Sequence, residues 1–218
     1  MIAKKFILQP LAVAALVLSA GASHAAFVNT FATLAAFNAG TAQQGTDLYT
    51  GLSITGGTPS PLARATQTGT LYTYTADAAP AGTFFGGGTA GNPFLSTNTA
   101  TDTITINTFS PAIRAIGGNF FGSDVAGAFA LGNVAIVITD SLGATFNQTI
   151  TNASQTGFLG VLSNGFITSL TVTTVQPTTG FIWPSADNLV LAVPEPGTYG
   201  LMLAGLGIVG FLARRRRA

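Results

Sequence analysis

The sequence has 218 residues, of which only 7% are charged, and it contains no cysteine. Disulfides, thiolate metal sites and thiol nucleophiles are thereby excluded. Lys4 and Lys5 sit near the N-terminus and Arg214, Arg215, Arg216 and Arg217 at the C-terminus, which leaves only Arg64 and Arg114 between them, against six aspartates. A middle so poor in cations has no stripe for phosphates, so nucleic acid is excluded as a partner.

In chain order, residues 1–25 read as a signal peptide. Lys4 and Lys5 supply the positive start, Phe6 to Leu18 form an apolar run broken at Gln9 and Pro10, and Ser23-His24-Ala25 places small residues where a signal peptidase reads. Cleavage is expected between Ala25 and Ala26. The alternatives are a cut after Ala22 and an uncleaved N-terminal anchor.

Residues 26–193 are long enough for one domain with its own core. Thr103-Ile104-Thr105-Ile106-Asn107 alternates polar and apolar residues at every step. Val134, Ile136 and Ile138 share one face of a strand, and Phe166, Thr168, Leu170 and Val172 share a face of another. Asp140-Ser141-Leu142-Gly143 reads as a hairpin loop, and Asp187-Asn188-Leu189-Val190-Leu191 closes the domain. Residues 30–38 suit one short helix. Gly82 to Thr99, rich in glycine and poor in periodicity, reads as a long surface loop. Strand signals about every ten residues with Gly, Asn, Asp and Pro between them predict an all-β fold, a β-sandwich of jelly-roll type, with a barrel as the second choice.

Candidate chemistry is sparse. Between residues 26 and 193 there is no His, Lys or Glu, so a serine there has no ordinary base and no enzyme is expected. Gly86-Gly87-Gly88 is not a phosphate loop, because no Gly-Lys-Ser/Thr follows it. No cofactor is expected. Asn119, Asp124, Asp140, Asp187 and Asn188 are the oxygen donors that could hold a structural calcium; turn and loop hydrogen bonds are the alternative use. Trp183, Tyr72 and Tyr74 are candidates for stacking on sugar rings, with Asp187 and Asn188 to bond hydroxyls; core packing is the alternative for the aromatics. Thr101, Thr103 and Thr105 line one face, as do Thr171 and Thr173. An ice-matching surface would need such threonines in register over several strands.

The C-terminal end reads Val193-Pro194-Glu195-Pro196-Gly197-Thr198, then an uncharged stretch, then four arginines and Ala218. The two prolines keep the backbone extended. Residues 198–213 as a helix would reach about 24 Å at about 1.5 Å per residue, a short span for a bilayer core of about 30 Å. The arginines would hold the C-terminus in the cytoplasm. This agrees with a signal peptide at the other end.

The stretch Val193–Ala218 resembles the PEP-CTERM sorting signal of Gram-negative bacteria, a tail also catalogued as an ice-binding protein C-terminal domain. Pro194-Glu195-Pro196, the glycine-rich apolar helix and Arg214, Arg215, Arg216 and Arg217 stand in that family's order. The resemblance implies recognition by an exosortase, a membrane transpeptidase acting near the Pro-Glu-Pro triplet, in bacteria that make exopolysaccharide and biofilm. The label describes the tail and not an activity. The expectation is an exported protein, membrane-anchored at 194–218 before processing and then at the cell surface or outside the cell. Its expected role is structural or adhesive in extracellular polysaccharide; the alternative is a carbohydrate-binding module with a defined sugar site.

Overall fold

The computed structural model describes residues 27–54 and 56–194. The chain runs through β1 (Phe27–Phe31), α1 (Leu34–Gly40), β2 (Thr41–Asp47), β3 (Gly57–Pro59), β4 (Leu62–Ala65), β5 (Thr68–Gly69), β6 (Thr73–Ala79), β7 (Thr83–Thr89) and β8 (Asn92–Thr97). It continues through β9 (Thr103–Ser110), β10 (Ala115–Ser123), β11 (Phe129–Ala130), β12 (Gly132–Asp140), β13 (Thr145–Ala153), β14 (Phe158–Ser163), β15 (Ile167–Val175) and β16 (Trp183–Pro194).

These strands make two antiparallel sheets. The ten-stranded sheet has the order β1-β14-β10-β16-β8-β7-β3, with β11 beside β10, β2 beside β16 and β5 beside β2; the six-stranded sheet has the order β13-β12-β15-β9-β6-β4. Strand β16 lies along β10 on one side. Its other side is shared: β8 pairs with Ser185 and Ala186, and β2 pairs from Leu189 onward.

The period of two explains which residues turn inward. Ile104 and Ile106 of β9, the trio Val134, Ile136 and Ile138 of β12, and Leu170 and Val172 of β15 are buried. They meet Leu95, Ile116, Phe120, Leu159, Leu189 and Leu191 from the ten-stranded sheet in one cluster. The expected all-β fold is therefore observed. The Asp140–Gly143 turn joins β12 to β13 as a hairpin, with the Gly143 N–H donating to the Asp140 carbonyl at 3.1 Å. The short helix is present as α1, ending two residues beyond the expected window; Thr33 caps it, its hydroxyl accepting from the Ala36 N–H at 3.1 Å.

Two expectations are corrected. Gly82 to Thr99 is no surface loop: it folds into the β7–β8 hairpin, paired from Phe84–Thr97 to Thr89–Asn92. Gly86, Gly87 and Gly88 are strand residues that leave room for packing. A Cβ at Gly87 would lie 2.2 Å from the Phe94 ring, and Phe94 in turn meets Phe121 edge-on at 4.9 Å. Phe166 is also not on the core face with Leu170 and Val172. The β12–β15 register shifts between Thr139 and Asp140, so Ile167 takes the inward place and Phe166 is left 46% exposed. The Arg114 guanidinium lies 4.8 Å from the centre of its ring.

Across the outer face of the six-stranded sheet, Thr105 pairs with Thr171. The row then continues to Asp77 on one side and to Val137 and Asn147 on the other, so in this row threonines are in register on two strands only.

The two sheets are tied at one edge by Asp47, the last residue of β2. Its carboxylate is fully buried and receives Arg64 Nε at 2.9 Å and Nη2 at 2.6 Å. It also accepts from the Tyr74 hydroxyl at 2.7 Å and from the Tyr49 N–H at 2.7 Å. Arg64 and Tyr74 are register partners on β4 and β6. One side chain of the larger sheet therefore holds a cross-strand pair of the smaller one. Removing it leaves a buried guanidinium without its counter-charge. Asp47→Ala is expected to lower the unfolding free energy in urea by about 3–5 kcal/mol; a loss below about 1 kcal/mol, the value for an exposed pair, would show that the tie is not holding the edge.

Candidate functional site

The outer face of the ten-stranded sheet is half covered. Helix α1 lays Phe37 on Ala115, Leu162, Val190 and Ala192, a cluster separate from the core between the sheets. Gly160 makes this possible, since a Cβ there would come within 2.5 Å of the Phe37 ring. Beside the helix the face stays open, and the gap is a concavity of about 730 Å³. That volume is within the range of small-molecule and saccharide sites.

The chain reaches this concavity from many places. Thr33 and Leu34 come from the start of α1, Thr46 and Leu48 from the end of β2, Thr68 from β5 and Asn92 from β8. Asn119 comes from β10, Gln155 and Thr156 from the β13–β14 loop, Phe158 from β14, and Asp187, Asn188 and Val190 from β16.

The centre is a β-bulge. Gly117 pairs with Val190 and Asn119 with Asp187, so Asn188 and Leu189 together face the single residue Gly118. Asn188 takes the left-handed conformation, φ 49°, which asparagine tolerates better than most residues. The bulge aims its polar groups outward. The Asn188 side-chain amide donates to Asn119 Oδ1 at 3.2 Å, and the Asn119 amide donates to the Gly157 carbonyl at 3.0 Å. The Asn188 N–H donates to Asp187 Oδ1 at 2.7 Å.

Asp187 is the one ionisable residue on the lining and is only 3% exposed. Burial raises its pKa above the ordinary carboxylate value; hydrogen bonds from the Asn188 backbone and the Asn92 side chain oppose the rise without cancelling it. The site thus offers one carboxylate, four side-chain amides, threonine hydroxyls and an aromatic ring on Phe158. Amides and hydroxyls both donate and accept, which suits a polyhydroxyl ligand.

The residues singled out from sequence are divided by the structure. Asp187, Asn188 and Asn119 converge here. Trp183 lies four residues up β16, about 13 Å along a strand; its indole N–H donates to the Asn98 carbonyl at 3.3 Å, and its ring meets Phe181 edge-on. Tyr72 and Tyr74 form no stacking platform. They are 1% and 2% exposed, and their hydroxyls are taken by the Gln43 carbonyl and Asp47. Asp124 and Asp140 sit in other loops: Asp124 Oδ1 accepts from Ala126 and Ala128, and Asp140 Oδ1 from Leu142 and Ala144. Among the described residues no three His, Cys, Asp or Glu side chains gather as a metal site. Asn92, Gln155 and Phe158 were not legible as site residues, because nothing in their local sequence marks them.

Strand β16 ends at Pro194, paired to Thr41, so the first proline of the Pro-Glu-Pro triplet is already part of the sheet. Residues 192–217 match the family described as the PEP-CTERM protein-sorting motif. The chain therefore carries the signal of an exported protein sorted by an exosortase to the cell surface. No curated protein and no solved structure matches the chain. The predicted signal peptide with its cut at Ala25 and Ala26, the span 198–213, and Glu195, Pro196, Arg214, Arg215, Arg216 and Arg217 lie outside the described residues. Among the described residues no helix is long and apolar enough to cross a membrane.

The raised pKa of Asp187 sets a sign for stability. A carboxylate whose folded-state pKa lies above its unfolded value weakens the fold once ionised; the penalty is complete above the folded pKa and gone below the ordinary value of about 3.9. Asp187→Asn is therefore expected to gain stability over the parent as the pH rises from about 3 to about 7. Urea denaturation of both proteins across that range checks it; a difference that does not change with pH contradicts the burial of the charge.

Proposed function

We propose that the protein is a non-catalytic, structural and adhesive component of the extracellular polysaccharide matrix, and that it grips saccharide in the concavity beside β16. The observation that carries this reading is the lining itself: side-chain amides and threonine hydroxyls around the Asn119–Asn188 bulge, with the Phe158 ring beside them. Sugar recognition uses that combination, an apolar face under the ring and paired donors and acceptors for its hydroxyls. The sorting motif supplies the setting, because it belongs to exported surface proteins. A non-catalytic role is supported by the lack of His, Lys and Glu from residue 27 to 194 and by the absence of a second carboxylate beside Asp187 on the lining.

The scaffold fits a jelly roll in this reading. The order β14-β10-β16-β8 in one sheet and β13-β12-β15-β9 in the other, with the chain passing between sheets at most steps, supports it. Before processing, the reading places residues 198–213 across the membrane with the arginines in the cytoplasm, after removal of residues 1–25 by signal peptidase.

Two measurements test the reading. On a glycan array, the full-length chain in detergent is expected to bind a saccharide saturably. The pair Asn119→Ala and Asn188→Gly, which removes both amides and keeps the left-handed backbone, is expected to weaken that binding about tenfold or more. No binding to any glycan, or binding unchanged in the double variant with its circular dichroism intact, refutes the saccharide site. For sorting, replacing Glu195 or deleting residues 199–217 is expected to change the mass and the envelope fraction of the protein in its own cell. The same mass in the same fraction would end the sorting reading.

A further inference from the structure

The walls of the concavity have a charge pattern with a consequence for what can enter. Fourteen residues line it, and Asp187 alone among them is charged. Among the described residues no cation stands by to meet an incoming anion. The described residues hold two arginines, Arg64 and Arg114, and neither is on the lining. Arg64 is committed to Asp47 with two bonds, and it also touches the Thr50 carbonyl and lies over the Tyr49 ring. Arg114 lies over the Phe166 ring, and its own backbone N–H donates to the Ala192 carbonyl at 3.1 Å.

We propose, on the strength of the saccharide reading above, that the concavity accepts only saccharides without negative charge, and that Asp187 is the residue that turns acidic ones away. The carboxylate is fixed in place. Its Oδ1 is held by the Asn188 N–H at 2.7 Å and the bulge sets that bond, so it cannot swing clear of a ligand. A uronate or pyruvylated sugar seated against Asn119 and Asn188 would bring a second carboxylate within a few ångströms of it. Two like charges that close, one of them on a side chain only 3% exposed, repel strongly, and salt screens such a short distance poorly. The arriving carboxylate would also exchange its water for amide and hydroxyl partners with no guanidinium or ammonium among them, which is the usual means of binding sugar acids. A hydroxyl or amino group in the same place has the opposite fate: it donates to Asp187.

The test uses one backbone at two charges. Dextran, mannan and cello-oligosaccharides are titrated, each beside its carboxymethylated form, into the full-length chain in detergent. At least one neutral form is expected to bind, and its carboxymethylated form to bind about tenfold more weakly or worse. In Asp187→Asn the ratio between the two forms is expected to shrink toward one. In Thr68→Lys, which puts a cation on an exposed part of the same rim, the ratio is expected to invert. A parent protein that takes the carboxymethylated form as well as the neutral one overturns the proposal and leaves the saccharide site standing. So does an Asp187→Asn protein, folded by circular dichroism, whose ratio is unchanged. Failure of every polymer, neutral and charged, refutes the saccharide site itself and this inference with it.

Discussion

The carboxylate of Asp47 is the contact on which the edge of this fold depends. It ends β2 in one sheet and bonds Arg64 and Tyr74, a register pair, in the other. A buried ion pair adds little net stability compared with apolar side chains of the same shape; what it fixes here is position. Burial keeps the Tyr74 phenol well above its ordinary pKa and hence a donor. Asp47 is also the register partner of Leu189, two residues after Asp187. The residues flanking that tie, Thr46 and Leu48, are a wall of the concavity. The same carboxylate that joins the sheets thereby places one side of the candidate site.

The other sides come from features that break regular pairing. The bulge at Asn188 adds one residue to β16 opposite Gly118 and turns two asparagines toward each other. Helix α1 covers the sheet only as far as Phe37 reaches, and Gly160 lets it sit low enough to do so. A flat, fully paired sheet or a longer helix would leave no hollow between them. The outer face of the larger sheet is thus partly an apolar seat for a helix and partly a polar cup, and the boundary runs along β16 between Val190 and Asn188.

Much of the fold was legible in the sequence, and for a local reason. Alternation in β9 and β12 needs only neighbours two residues apart to be read, and the sheets follow it. The misreadings share a cause as well. In Gly82–Thr99 the glycines hide the alternation, because the side chain that fills their space, Phe94, belongs to the partner strand of the hairpin. Tyr72 and Tyr74 took core packing, the alternative to sugar stacking, and the groups that receive their hydroxyls, the Gln43 carbonyl and Asp47, are distant in sequence. Phe166 lost its inward place to a register shift that no periodicity announces. For the site, Asp187, Asn188 and Asn119 were identifiable as oxygen donors, the first two also as partners for sugar hydroxyls. Asn92, Gln155 and Phe158 became part of it through strand order. The sorting motif needed no folding to be recognised, because its information is linear.

Strand β16 has a mechanical meaning. It carries Asp187 and Asn188 in its middle and hands the chain on to the sorting tail at Pro194. From Asp187 to Pro194 is about 23 Å of extended chain. Tension between something held in the cup and something holding the tail would travel along this single strand and bypass most of the domain. It would act parallel to the strand, across rungs that lie at right angles to it on β10 and on β2. Those rungs would share the load in shear instead of parting one after another as in a zipper.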